Sequence, residues 1–148
     1  MDIDFAEAGP GDFDALVGMM REFYAHERME FAEGAARRAL AELCGDGRLG
    51  RVRLIREGAE VVGYLVLTFG YSLEFGGRDA FVDELFVREA WRGRGAGRLA
   101  LEHAAEVCRA EGVRALHLEV DHVNPRAQAL YRKAGFRHHA RHLMTKRL

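Results

Sequence analysis

Between an apolar run at residues 80–87 and a helical pattern starting near Gly95, the chain reads Arg92-Gly93-Arg94-Gly95-Ala96-Gly97. Glycine on alternate positions weakens both strand and helix, so the hexapeptide reads as the turn by which a strand hands over to a helix. A helix amino terminus leaves backbone N–H groups unpaired and carries a partial positive charge. Glycines just before it let an anion approach with no Cβ in the way. Arg92, Arg94 and Arg98 add positive charge, and Glu89 is the one acid from Arg88 through Arg98. The segment is expected to hold a phosphate-bearing ligand. Its GxGxG spacing is not the GxGxxG of a dinucleotide fold, and no GKS or GKT follows, which argues against nucleotide hydrolysis.

The flanking sequence supplies the elements. Residues 2–8 alternate with Ile3 and Phe5 apolar until Gly9-Pro10-Gly11 breaks a first strand. Asp12 can cap a helix whose apolar face carries Phe13, Leu16, Val17, Met20, Phe23 and Tyr24 and which fades near Arg28. A second helix is expected over 32–43, ending at Gly45. Strands at 52–56 and 61–69 flank a turn at 57–60, and a second turn at Gly76-Gly77 precedes the strand at 80–87, which carries Asp83 and Glu84. The helix after the glycine loop should stop at Gly112. Residues 115–120 read as a strand, a short helix capped by Asn124 with Pro125 in its first turn ends before Gly135, and 136–144 would be a last strand. The order β-α-α-β-β-β-α-β-α-β implies one mixed α/β domain over residues 1–148, long enough to bury its own core.

The 22 basic and 23 acidic side chains leave a net charge of −1, which gives no whole-chain reason to expect a nucleic-acid or membrane partner. Cys44 and Cys108 fit no ligand or disulfide spacing. His138, His139 and His142 lie in the expected last strand, where neighbours face opposite ways, so no metal site is expected. With no basic amino-terminal region and no apolar stretch of about 20 residues, the expected location is the cytoplasm.

In these segments the chain resembles the GNAT superfamily of acetyltransferases. The family's R/Q-x-x-G-x-G/A signature is matched by Arg92, Gly95 and Gly97, after Glu84-Leu85-Phe86-Val87. A second stretch is similar as well: Leu118-Glu119-Val120, Asn124, Ala127, Leu130-Tyr131-Arg132-Lys133 and Gly135-Phe136. The resemblance is strongest over 81–136 and implies a three-layer fold with a central, mostly antiparallel mixed sheet flanked by helices. It implies acetyl-CoA as acetyl donor. The backbone at Leu85, Phe86 and Val87 would then run beside the pantetheine arm, and Arg92, Gly93, Arg94, Gly95, Ala96, Gly97 and Arg98 would hold the diphosphate. Asn124 would touch the cofactor arm or serve only as a helix cap. Tyr131 would be the general acid for the departing thiolate.

Asp83 and Glu84 are both candidates for the base. As strand neighbours they are expected on opposite faces, so at most one serves. Polyamine and aminoglycoside acetyltransferases resembling this chain carry an acid that maps to Asp83. The acceptor side falls mainly in residues 1–80, with Tyr24, His26, Glu27, Tyr71, Glu74 and Phe75 as candidate lining. The resemblance implies direct transfer to a primary amine of a small molecule or peptide without a covalent acetyl-enzyme, often in a homodimer. The alternative is a CoA-binding or regulatory module of the same fold that does not turn over.

Overall fold

The computed structural model describes residues 2–121 and 123–148. Strands β1 (Ile3–Glu7), β2 (Gly50–Glu57), β3 (Glu60–Ser72), β4 (Gly77–Val87) and β5 (Ala115–His117) form one sheet in the order β1-β2-β3-β4-β5. Pairing is antiparallel from β1 to β4 and parallel between β4 and β5. Helices α1 (Phe13–His26) and α2 (Glu33–Gly45) precede β2, α3 (Ala96–Ala110) links β4 to β5, and α4 (Pro125–Lys133) follows. This is the mixed, mostly antiparallel sheet between helices that the sequence implied.

Two apolar layers account for the stacking. Leu16, Val17, Met19 and Met20 of α1 and Leu40 of α2 pack with Val52, Leu54, Tyr64, Val66 and Phe86 on one sheet face. On the other face Ala100, Ala104 and Cys108, one turn apart along α3, lie among Ile55, Val62, Leu65, Leu67 and Ala80. Small residues at i, i+4 and i+8 let the helix backbone lie close to the strands, and their burial removes apolar area from water at about 25 cal/mol per Å².

Strand β4 does not keep one phase. Val82 packs on the α3 side with the buried Ala80, and so do Leu85 and Val87, which a regular strand of period two would send to the opposite face. A bulge absorbs the slip. Val66 pairs with Glu84 and Leu67 with Val82, leaving Asp83 without a partner on β3. Glu84 and Phe86 consequently turn toward α1.

β5 pairs with β4 only from Asp79 to Phe81, so the two strands part next to the bulge. The expected strand over 115–120 is therefore corrected to Ala115–His117: past His117 the twisted β4 is no longer alongside to complete the ladder. The expected last strand over 136–144 does not form either. Apart from the half-buried Phe136 these residues are exposed, and a segment carrying Arg137, His138, His139, Arg141 and His142 has little apolar face to bury. It is tied down by Arg141, whose guanidinium donates to both carboxylate oxygens of Glu74 at 2.9 Å, and by His139 against the Phe75 ring at 6.2 Å. The Asp12 carboxylate accepts from Gly9 N–H at 2.9 Å and makes no side-chain cap on α1.

Candidate active site

At the bulge the two adjacent acids have different surroundings. Glu84 accepts a hydrogen bond from the Tyr24 hydroxyl at Oε2 (2.5 Å) and from the Tyr64 hydroxyl at Oε1 (2.7 Å). Tyr64 is completely buried, and Tyr24 comes from the last turns of α1. Burial pushes the Glu84 carboxyl above the ordinary glutamate value, and the two hydroxyls pull it partly back. Both phenols are raised, first by loss of water and then by the Glu84 carboxylate they serve, so they stay protonated as donors. With an oxygen committed to each tyrosine, Glu84 fastens α1 to the sheet. Asp83 is exposed and appears in no hydrogen bond among the described residues, while the surrounding protein displaces enough water to raise its carboxyl as well. Glu84 thus turns inward toward α1, and the bulge residue Asp83 stands in solvent at the parting of β4 and β5.

From Glu84 to Val87, β4 is paired with β3 on one side and with no strand on the other, among the described residues. Its outer edge presents backbone N–H and C=O groups that a linear, amide-bearing ligand can pair with. That edge leads through the 3-10 turn Glu89–Trp91 to the glycine loop. Gly93 (φ +75°) and Gly95 (φ +91°) are left-handed, a conformation that a Cβ disfavours. Gly95 is the N-cap of α3 and supplies no side chain to it, and the first helical bond runs from Leu99 N–H to Gly95 C=O at 3.0 Å. The N–H groups of Ala96, Gly97 and Arg98 thus lack intrahelical acceptors, and the first turn holds no acid. These groups fit a diphosphate joined to an amide-bearing arm.

The arginines around the loop are placed less simply. Arg92 donates from Nε to the Val87 carbonyl at 2.8 Å and lays its guanidinium over Phe86, 5.6 Å from the ring centre. Arg94 stacks over Trp91 at 5.1 Å, and Arg98 donates to Glu102 at 2.7 Å. A fourth, Arg126, comes from α4 and was not singled out in the sequence. Its Nη2 lies 3.8 Å from where a Cβ on Gly93 would stand.

α4 begins with the expected cap, Asn124 Oδ1 accepting from Ala127 N–H at 3.1 Å. It packs on the start of α3, where Leu130 Cδ2 lies 3.6 Å from the position of a Cβ on Gly97. Tyr131 is half-buried with its ring edge-on to Phe136 at 6.3 Å. Its phenol is raised above the ordinary tyrosine value by loss of water first and by the Glu27 carboxylate second, so the end of α1 lies within electrostatic reach of α4.

On the α1 side, Glu22, His26, Phe86, Arg88, Glu89 and Arg92 line a cavity of about 450 Å³. Tyr24, His26 and Glu27 therefore stand near the strand edge and α4, whereas Tyr71 and Glu74 do not. Tyr71 is paired with Arg78, five residues before Asp83 and roughly 17 Å from it along the strand. Glu74 is held by Arg141, and the neighbouring Phe75 packs on His117 at 5.0 Å. Among the described residues no group of three or more His, Cys, Asp or Glu is placed to hold a metal ion, and no helix is long and apolar enough to cross a membrane. Cys44 is half-buried and Cys108 buried, both as free thiols.

Comparison with known proteins fits this geometry. The sequence profile of the acetyltransferase (GNAT) family matches residues 17–136. Thialysine N-epsilon-acetyltransferase of Bos taurus is 35% identical over 79 residues, which are 53% of this chain and 46% of that protein. The chain thus spans about half the length of that relative. The Sus scrofa protein of the same name is 27% identical over 140 residues, 88% of this chain and 82% of its own. Among solved structures, an integron cassette protein from the mobile metagenome of Cole Harbour Salt Marsh superposes with a TM-score of 0.86 at 42% identity, covering 97% of this chain and 90% of that one.

Proposed function

The chain belongs to the acetyltransferase (GNAT) family, and we propose that it transfers acetyl from acetyl-CoA to a primary amine, by direct attack of the amine on the thioester. One observation carries the reading: the free edge of β4 joins an anion-binding helix start at one end to an exposed, raised carboxylate, Asp83, at the other. Acetyl-CoA supplies the acetyl group already activated as a thioester. The N–H groups of residues 96–98 hold its diphosphate, and the backbone at Leu85, Phe86 and Val87 pairs with the amides of its arm. A backbone N–H on this edge polarises the thioester carbonyl.

An amine attacks only when neutral, so the ammonium must first lose a proton. Asp83 takes it, directly or through a water, because it is the acid of the pair with no hydrogen-bond partner. Glu84 positions α1 and leaves the proton transfer to its neighbour. Tyr131, protonated at neutral pH, gives a proton to the thiolate as the C–S bond breaks, and the second proton of the attacking nitrogen, released as the amide forms, restores the phenol. The names of the bovine and porcine relatives point to an amine at the end of a lysine-like side chain as the acceptor. A thiol nucleophile is not part of the scheme, since Cys108 lies buried among the apolar side chains between α3 and the sheet.

Calorimetry with acetyl-CoA, followed by thiol release across thialysine, lysine peptides and polyamines, tests the reading. Saturable binding with turnover on at least one amine is expected. Binding with no acetylation of any amine would leave a CoA-binding module and remove the enzyme.

A further inference from the structure

We propose that Arg126 is the side chain that closes on the diphosphate of the donor, and that Arg92, the arginine of the signature, acts one step back as the strut of the loop. The inference rests on the donor reading above and assigns residues within it.

Four guanidinium groups surround Gly93 and Gly95, and three are engaged within the protein. Arg92 is bonded to the Val87 carbonyl and covers Phe86, Arg94 covers Trp91, and Arg98 is paired with Glu102. Arg126 is exposed and makes no hydrogen bond or ion pair among the described residues, yet it reaches across from α4 to Gly93. Its backbone is fixed. Asn124 caps the helix, Gln128 N–H donates to the Asn124 carbonyl at 3.1 Å, and Leu130 seats α4 against Gly97. Only the side chain has to move to meet a ligand.

The placement of Arg126 is also electrostatically costly without an anion. It lies in the first turn of α4, where the helix dipole is positive, and that turn holds no acid; the cations that suit a helix end, Arg132 and Lys133, are in the last turn. The first turn of α3 likewise holds Arg98 and no acid. A diphosphate on the N–H groups of residues 96–98 would sit between these like charges and make both favourable. A planar guanidinium can fork onto its oxygens. Arg92 already has its Nε on the Val87 carbonyl and its face on Phe86, so the protein fixes its guanidinium in the bond that ties the loop to the end of β4.

The test is donor binding by calorimetry, with CoA and with dephospho-CoA, which lacks the 3′-phosphate. Arg126→Gln should weaken both about tenfold, the loss of one charge-assisted contact. The loss should appear in the KM for acetyl-CoA more than in kcat, and should be absent for S-acetylpantetheine, which has no phosphate. Arg126→Lys should recover part of it. Arg92→Met should instead lower the melting temperature and weaken CoA less than Arg126→Gln does. An Arg126→Gln protein that binds CoA like wild type overturns the assignment, as does a penalty that vanishes with dephospho-CoA and so belongs to the 3′-phosphate. Unchanged melting of Arg92→Met together with the larger loss of affinity overturns the division of roles. Wild-type protein that binds no CoA removes the donor reading itself, an outcome distinct from all of these.

Discussion

Replacing Tyr64 by Phe removes one oxygen from a side chain with no solvent exposure and leaves the aromatic packing against Phe86 in place. What is lost is a 2.7 Å hydrogen bond to an ionised Glu84. Bonds to charged groups are worth roughly 1.5–3 kcal/mol, and water cannot enter to replace this one. For 148 residues the entropy of unfolding is roughly 0.3 kcal/mol/K, so a loss of about 2 kcal/mol lowers the melting temperature by about 6 °C. The charge should be the reason. In a Glu84→Gln background the same substitution removes only a neutral bond and should cost about 1 kcal/mol or less. The sign with pH follows. The tyrosine bond favours ionised Glu84, so the deficit of Tyr64→Phe is full where Glu84 is ionised and shrinks as pH falls through its raised pKa. Thermal and urea melts of the four proteins in the cycle, read by circular dichroism at neutral and acid pH, measure this. A Tyr64→Phe protein within about 0.5 kcal/mol of wild type, or an equal cost with and without the Glu84 charge, would refute the reasoning.

Other consequences are open to measurement. Tyr131→Phe should lower kcat about a hundredfold while acetyl-CoA affinity by calorimetry stays close to wild type, and undiminished thiol release would remove the acid. Gly95→Val puts a β-branched side chain at φ +91°, which should cost about 1–2 kcal/mol in melting experiments and weaken donor binding together with stability. Because the Asp83 carboxyl is raised, the acid limb of the rate profile should lie above the ordinary aspartate range and disappear in Asp83→Asn. A raised folded-state pKa favours the folded protein below the ordinary carboxylate value. Stability should therefore decline as pH rises through the shifted Asp83 and Glu84 values, and acid-range melts of Asp83→Asn should show a flatter profile.

Residues whose role depends on local pattern were readable from the chain alone. The glycine loop, the Asn124 cap and the apolar faces of α1 and α3 each announce themselves within a few positions. The phase slip in β4 is also written locally, as Ala80 and Val82 followed by Leu85 and Val87, and it marks the bulge that a strictly alternating reading of 80–87 passes over. What depends on distant partners was not readable. Tyr64 lies in an apolar run and meets Glu84 only through the β3–β4 pairing, and Arg126 meets Gly93 only because α4 docks on α3. Glu74 reads as acceptor lining in the sequence, and its partner Arg141 stands 67 residues later. The tail at 136–144 carries Phe136, Ala140, Leu143 and Met144 among arginines and histidines, too sparse an apolar face to hold a strand against the sheet.

The bulge at Asp83 also has a genetic consequence. Substitution there changes one side chain, whereas deletion of Asp83 removes the extra residue and with it the bulge. Leu85 and Val87 would still face α3, and Glu84 and Phe86 α1, now in plain alternation with Val82, so the core would keep its side chains while the local bend at the strand edge was lost. The strand thus carries one residue more than its core requires, so a chain lacking Asp83 should still fold while losing the bend and the exposed carboxylate at the strand edge.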